Sequence, residues 1–416
     1  MAQLNCTLSQ EEILQLLRSE PKDASEAFKK LLQNALNEFL QYESAEKLKA
    51  KQYERSDERT DQRNGTRDRE LTTKMGTLIL TVPRHREEPF HTMLFNNYQR
   101  NEAALLTTMA EMVISGTSTR KVGKVMETIC GKEFSKSTVS EACKMLDTEV
   151  KKFRERPIEE GKFPFIMLDA TYFKCREEHR VVSKAFMVAI GITDNGSREV
   201  LGFAEYDDES NSTWSSFIKS LKSRGLSGVL IYTSDAHSSI RHAMNAEFPD
   251  AAWQRCQFHF MKNILDEVPK KCRMGIETEL REMFNCETIE DARKLCREII
   301  SEYEDVAEKA MEILDDGFED SMTVMMIPTK MRRPLRTSNM VERLNKELKR
   351  RSNVINVFPN AASILRLMGS VTIDYHDVIV AKKPMFYPRL MKEISDHIKL
   401  KLIKLAHDQA QRAKVA

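Results

Sequence analysis

Between residues 163 and 256 the apolar pattern changes from helical spacing to short runs of strand length, and this stretch constrains the fold most. FPFIMLD (163–169) is a continuous apolar run closing on Asp169. VVSKAFMVAIGIT (181–193) ends at the turn Asp194–Asn195–Gly196, and REVLGFAEYDD (198–208) follows at once, so an Asn-Gly turn joins an antiparallel pair. Ser212–Arg224 reads as an amphipathic helix with Trp214, Phe217, Ile218 and Leu221 on one face, stopped by Gly225. GVLIYTSD (228–235) closes on Asp235, His237–Glu247 is helical before Pro249, and AAWQRC (251–256) is a fifth short strand. Three strands in a meander, then strands joined by helices, call for a mixed sheet with parallel pairing in its later part.

The expected fold class is therefore α/β: a ribonuclease-H-like mixed five-stranded sheet with a helical insertion, plus an N-terminal, mainly helical DNA-binding region. That topology sets the first and fourth strands side by side, so Asp169 and Asp235 face one point. Like charges that close are unfavourable without a cation between them, and hard oxygen ligands suit Mg²⁺ or Mn²⁺. A third carboxylate should come from a later helix, Met340–Arg351. Glu342 is favoured, because Asn345, Lys346 and Lys349 share its face at three, four and seven residues. Glu347, with Arg350 and Arg351 at three and four residues, reads as a surface ion pair.

The flanks are helical. Residues 8–52 carry apolar residues at three- and four-residue steps, 54–70 read as a polar connector, and TLILTVPRHR (77–86) is a short β run ended by Pro83. A helix through Ala103–Ile114, a second over Arg120–Cys130 capped by Thr117 or Ser118, and a third from Ser135 or Ser137 through Leu146 have a helix-turn-helix shape. Its helices would supply a groove-reading element, and Lys121, Lys124, Lys132 and Lys136 its phosphate contacts. After Cys256 the chain reads helical to about 325, and PTKMRRPLRTSN (328–339) reads as a basic loop. The expected divisions are 1–60, 61–150, 160–265, 266–330 (the helical insertion), 331–380 and a helical tail, 381–416.

Composition matters for what it excludes. Lys and Arg number 65 against 63 Asp and Glu, so the net charge of +2 does not argue for an anionic partner. The local asymmetry does: 330–351 holds nine basic against two acidic residues, while 302–320 holds nine acidic against one basic. A concentrated basic stretch attracts phosphate whatever the total. No apolar run approaches the roughly 18 residues that span a bilayer, no signal peptide is expected at the start, and eight scattered cysteines read as reduced thiols.

Five motifs in order carry a family resemblance: LDATYFKCR (168–176), GITDNGSREVLGF (191–203), TSDAHSSIRHA (233–243), WQRCQFHFMKN (253–263) and RTSNMVERLNKELKRR (336–351). With the upstream TLILTVPRHREEPF and SGTSTRKVGKVMETICGKEFSKSTVS, they resemble bacterial Mutator-type insertion-sequence transposases over about residues 60–370. A departure is Asn64–Gly65–Thr66–Arg67, where relatives more often have Gly-Tyr-Arg. The resemblance implies a DDE catalytic domain whose triad falls on Asp169, Asp235 and Glu342, with two Mg²⁺ or Mn²⁺ ions per site. It implies binding of terminal inverted repeats and target DNA, strand cleavage and strand transfer, pairing of ends by at least a homodimer, and a cytoplasmic, nucleoid-associated setting without membrane. DNA contacts are expected from Arg336, Asn339, Arg343, Lys346, Lys349 and Arg350. Rival readings are a ribonuclease-H-like nuclease and a catalytically inactive, transposase-derived DNA-binding regulator.

The family motif Cys256–Gln257–Phe258–His259 has zinc-ligand types but lacks a second ligand pair nearby. The expected roles are a packed cysteine at the strand end and a histidine that orients a carboxylate or meets DNA. His237, two residues after Asp235, is expected to support the site rather than act as a general base, and Trp214 to be structural.

Overall fold

The computed structural model describes residues 21–54, 58–73, 76–94, 103–130, 134–158 and 161–415. The chain divides into two compact units, Met1–Met145 and Leu146–Ala416.

In the first unit, α1 (Pro21–Leu48) packs on a two-stranded antiparallel ribbon, β1 (Arg63–Thr73) and β2 (Gly76–His85). The part of the expected N-terminal helix before Pro21 lies outside the described residues. Two expectations are corrected here. The polar stretch from Arg63 to Glu70 is strand, and Pro83 lies inside β2 opposite Thr66, at a register irregularity, rather than ending it. A ribbon open to solvent on one side needs no apolar alternation in β1; β2 supplies the buried Leu78, Leu80 and Val82.

Three short helices follow: α2 (Ala103–Ile114), α3 (Thr119–Cys130) and α4 (Lys136–Cys143). They enclose a small core of Leu105, Met109, Val122, Met126, Phe134, Val139 and Ala142. Ser118 Oγ accepts from Lys121 N–H at 3.4 Å, and Ser135 Oγ caps α4 by accepting from Thr138 N–H at 3.1 Å. Such caps are worth about 1 kcal/mol each. The third helix stops at Cys143, short of the expected Leu146, and α5 (Leu146–Glu155) starts anew with its own acidic first turn.

The second unit is built on a mixed sheet of β3 (Phe165–Glu177), β4 (Arg180–Ile192), β5 (Arg198–Tyr206), β6 (Ile231–Ser234) and β7 (Ala252–Arg255), in the order β5-β4-β3-β6-β7. The helices α6 (Asn211–Ser223) and α7 (Ser238–Glu247) make the crossovers. The β4–β5 turn depends on Gly196: its φ is +84°, and a Cβ there would meet Phe386 O at 1.9 Å. Trp214, Phe217, Ile218 and Leu221 bury the inner face of α6 against the sheet, beside Ile166, Leu168 and Tyr232.

Asp169 does not end its strand, contrary to expectation. β3 runs to Glu177 because β4 pairs with it along its whole length, Asp169 facing Val188. What stops near Asp169 is the other neighbour, β6. The parallel register matches Phe165 with Ile231 and Met167 with Thr233. Two residues further along both strands come Asp169 and Asp235.

A helical segment with its own core follows: α8 (Gln257–Asp266), α9 (Arg273–Phe284) and α10 (Ile289–Ser321), packed through Phe260, Ile264, Ile276, Leu280, Ile299 and Leu314. Most of the acidic stretch is exposed on α10, whereas Asp320 is buried and accepts from Arg412 Nη2 at 2.9 Å. A 3₁₀ turn, Thr323–Met326, leads into α11 (Thr329–Leu335). The expected basic loop is thus partly helix. Met331 and Leu335, four residues apart, are both buried, and Arg332 anchors the turn by donating to the carbonyls of Ile327, Met325 and Glu287. Then come α12 (Asn339–Ser352), α13 (Ala361–Val380), the short α14 (Pro388–Met391) and α15 (Asp396–Val415). Gln409 of α15 caps the sheet edge: Trp253 N–H donates to its Oε1 at 2.7 Å and its Nε2 donates to Trp253 O at 2.8 Å. None of the seven described cysteines is joined in a disulfide, and no described helix is long and apolar enough to cross a membrane.

Candidate active site

Asp169 sits where β3 outruns β6. It keeps some open surface yet is densely surrounded, and burial with the charge of Asp235 pushes its carboxyl up to about 7. The direction says that two carboxylates share a poorly solvated space. Asp169 Oδ1 accepts from Ala170 N–H at 2.9 Å, and Asp169 Oδ2 accepts from Asn345 Nδ2 at 2.8 Å. Asp235 is held from the other side, its Oδ1 accepting from His237 N–H at 3.1 Å as α7 begins.

The helix α12 crosses this end of the sheet, packed on β3 and β4 through Met340, Val341, Leu344, Asn345 and Leu348. Glu342 stands in its first turn, where its side chain accepts from Ser338 Oγ at 3.0 Å. Ser338 is buried and also faces Cys256: its N–H and Oγ lie 3.4 and 3.3 Å from Cys256 Sγ.

Cys256, His259 and Glu342 form a group whose ligand atoms all lie within 4.8 Å of one another. Asp169 and Asp235 do not belong to it. Interaction with the Cys256 sulfur, outweighing burial and aided by Asp169 and Glu342, raises His259 to about 9. Burial pushes the Cys256 thiol up, but His259 and Ser338 pull it down further, and the net shift is downward. His259 thus lies in the field of the Cys256 sulfur, Asp169 and Glu342, all of which favour its charged form.

The chain matches the profile of the Mutator family of transposases over residues 3–381. It is 41% identical over 379 residues to the transposase for insertion sequence element IS256 in transposon Tn4001 of Staphylococcus aureus, covering 91% of this chain and 96% of that relative. It is 37% identical over 373 residues to the transposase for ISRM5 of Rhizobium meliloti, covering 87% and 94%. It is 36% identical over 325 residues to the transposase for IS1081 of Mycobacterium tuberculosis, covering 78% of each.

The chain belongs to the Mutator family of transposases.

In this transposase the residues singled out from sequence fall in five places. Asp169, Asp235, Cys256, His259, His237 and Glu342 gather where β3 outruns β6, beside the C-terminal ends of β6 and β7 and the start of α12. Asn339, Arg343, Lys346, Lys349 and Arg350 are exposed on α12, while Glu347 between them takes Arg350 and Arg351 at 2.7 and 2.8 Å. Arg336 is half-buried and braces the end of α9, donating to Phe284 O at 3.1 Å and Asn285 Oδ1 at 2.9 Å. Lys121, Lys124 and Lys136 are exposed in the first unit, and Lys132 lies outside the described residues. Trp214 is fully buried, its Nε1 donating to Glu209 Oε2 at 3.3 Å.

Three residues of the site were missed. Asn345, noted in sequence only for sharing a face with Glu342, is the direct partner of Asp169. Ser338 joins Glu342 to Cys256 across 82 residues of sequence. Glu209, following β5, adds negative charge near Asp169; with burial it also raises the Tyr172 hydroxyl to about 12. Only the acidic run Asp207–Asp208–Glu209 directly after a strand could have signalled it.

Proposed function

We propose that this transposase binds the terminal inverted repeats of its insertion sequence and performs metal-dependent DNA cleavage and strand transfer as a DDE enzyme on a ribonuclease-H-like sheet. The observation that carries the reading is the meeting of Asp169, Asp235 and the Glu342 helix at one end of the sheet, with Asp169 pushed up by the charge of Asp235.

The donor set fits a divalent cation. A buried carboxylate such as Asp169, raised by the charge of a neighbouring carboxylate, is relieved by a cation, and oxygen donors suit Mg²⁺ or Mn²⁺. The Asn345 Oδ1 atom is buried without a partner, so this pocket still has acceptor capacity to offer. Asp169 and Asp235 would hold the cation, with Glu342 as the third carboxylate and two ions in the complete site. When bound, such ions supply Lewis acidity to the scissile phosphate and favour ionisation of the attacking hydroxyl.

The chain's own residues do the positioning. Asn345 fixes the Asp169 rotamer, the His237 backbone fixes Asp235, and Ser338 holds Glu342. To join the two aspartates Glu342 turns away from Ser338, a side-chain motion at the start of a helix. The exposed Arg343, Lys346, Lys349 and Arg350 carry phosphates along α12. No protein nucleophile is required, because cleavage is a displacement at phosphorus by water and joining one by a DNA 3′-hydroxyl. The trihelical module of α2, α3 and α4, with exposed Lys121, Lys124 and Lys136, is proposed to read the repeats as a helix-turn-helix. Bringing two ends together calls for at least two copies, acting on the nucleoid in the cytoplasm.

The test is a strand-transfer reaction on pre-cleaved repeat ends in Mg²⁺. Joining to a target supports the reading. Cutting without joining would identify a nuclease, and binding alone a regulator.

A further inference from the structure

We propose that Cys256, His259 and Glu342 form a second cation site, one for a borderline-soft divalent ion of the Zn²⁺ or Co²⁺ type rather than for Mg²⁺. The three come from the β7–α8 junction and the first turn of α12, and their ligand atoms lie within 4.8 Å of one another. A tetrahedral zinc ion, with Zn–S about 2.3 Å and Zn–N about 2.0 Å, holds sulfur and nitrogen roughly 3.5 Å apart. Side-chain rotation by about 1 Å would therefore suffice to close the ligands around an ion.

The hydrogen bonding of the cluster is incomplete as it stands. Ser338 has one hydroxyl proton for two acceptors, Cys256 Sγ at 3.3 Å and Glu342 Oε1 at 3.0 Å. His259 Nδ1 is buried with no partner. A cation bound by sulfur, nitrogen and oxygen would satisfy all three side chains and leave Ser338 N–H, at 3.4 Å, donating to the sulfur. Sulfur and imidazole select zinc-like ions over Mg²⁺, whose preferred ligands are all oxygen. Three protein ligands leave a fourth position open.

The zinc pairing looked for in the sequence was a second Cys or His pair. The completing ligand is instead a carboxylate 83 residues beyond His259. Glu342 would then belong to two sites. On the reading of Glu342 given above, an ion on Cys256 and His259 withdraws it from Asp169 and Asp235, so Zn²⁺ opposes Mg²⁺-dependent chemistry.

The experiment is a Co²⁺ titration of the full, reduced, metal-free chain, followed by the thiolate-to-cobalt charge-transfer band. The expected result is one equivalent of Co²⁺ that gives the band, is displaced by Zn²⁺, and is not displaced by excess Mg²⁺. Cys256→Ser should lose the band. His259→Asn should keep it but weaken Co²⁺ binding by at least the roughly 10–100-fold cost of losing a supporting partner. A wild-type chain without the band, or a band that persists in Cys256→Ser, would overturn the site. If Cys256→Ser does not fold, unchanged Co²⁺ affinity in His259→Asn overturns it equally. Glu342→Gln separates this inference from the catalytic reading. Full cleavage activity in that variant overturns the catalytic role and leaves the cobalt result standing. An inactive Glu342→Gln beside a wild type without the band overturns the cation site alone.

Discussion

Asp169 and Glu342 reach the same end of the molecule by different means. Asp169 stands inside a strand paired on one side along its whole length, and Asn345 pins its free oxygen. Its backbone cannot shift without breaking the β3–β4 ladder. Glu342 stands in the first turn of a helix, held by a serine hydroxyl that also faces Cys256. On the function proposed above, one half of the site is a rigid reference and the other an adjustable arm. A chain that must handle DNA both before and after a strand is cut can use one fixed carboxylate pair and one carboxylate that moves.

Removing charge from the rigid half should have the largest effect. Asp169→Asn and Asp235→Asn are expected to lower cleavage by roughly 10³-fold or more, as loss of a central electrostatic group does, while repeat binding in a gel-shift stays near wild type. Lengthening tests rigidity itself. A misplacement of about 1 Å can cost ~10²-fold, so Asp169→Glu should fall by about that factor, and Glu342→Asp, on the adjustable arm, by clearly less. Equal losses would remove the distinction between the two halves.

Asn345 should come next. It belongs to α12 yet serves the rigid half, so Asn345→Ala is expected to lower Mg²⁺-dependent cleavage by roughly 10–100-fold and to raise the Mg²⁺ concentration needed for half activity. Wild-type Mg²⁺ dependence would mean that Asp169 is held by the strand alone.

Proton uptake sharpens the comparison from the sheet side. Burial and the nearby Arg156 charge hold His376 of α13 down at about 4; its Nδ1 accepts from Val200 N–H, and its ring meets Phe153 edge-on. An unfolded histidine titrates near 6.5. The folded value is the lower one, so this contribution to stability is complete above about 6.5 and is lost as pH falls towards 4. Asp169 has the opposite sign. Its folded value is raised to about 7, so without a cation its contribution is lost as pH rises from the ordinary carboxylate range through 7. Chemical denaturation across pH 4–8 should show His376→Asn flattening the acid side and Asp169→Asn the neutral side. Mg²⁺ should stabilise wild type more at pH 8 than at pH 5. An Mg²⁺ effect independent of pH would break the assignment of Asp169.

The rigid half was the legible half. Apolar runs of strand length, a two-residue Asn-Gly turn and the helix–strand alternation together determine a strand order, and the order brings Asp169 beside Asp235. The misreading of Asp169 as a strand end has a simple cause: a charged residue interrupts an apolar run, but backbone pairing to β4 continues regardless. Solvent exposure hid β1 in the same way, since an exposed ribbon strand can be made of Arg, Asp and Thr. The adjustable half depended on contacts that spacing does not encode. Ser338 meets Cys256 only because the helical segment between them returns the chain to the sheet. Arg332 and Arg336, counted with the basic stretch, turn inward to bind carbonyls, which charge alone does not reveal.

The smallest expected effect lies furthest along the adjustable arm. Seven residues of helix rotate by about 700°, which returns Lys349 to within roughly 20° of the Glu342 face and about 10.5 Å further along the axis. Lys349 is exposed, whereas Glu347 is committed to Arg350 and Arg351, which hold its carboxyl down at about 2. If α12 carries DNA along the face that begins with Glu342, Lys349 holds a phosphate flanking the scissile one. Its loss removes one counterion-releasing contact, so Lys349→Ala should reduce the slope of log affinity against log salt by roughly 1. Cleavage at saturating DNA should change far less than in Asn345→Ala, because Lys349 positions the strand without touching the carboxylates. Glu347→Ala frees two arginines and should leave both the slope and the saturated rate near wild type. An inactive Glu347→Ala beside a wild-type Lys349→Ala would reverse the faces, move the third carboxylate to Glu347, and leave Glu342 to the Cys256 cluster alone.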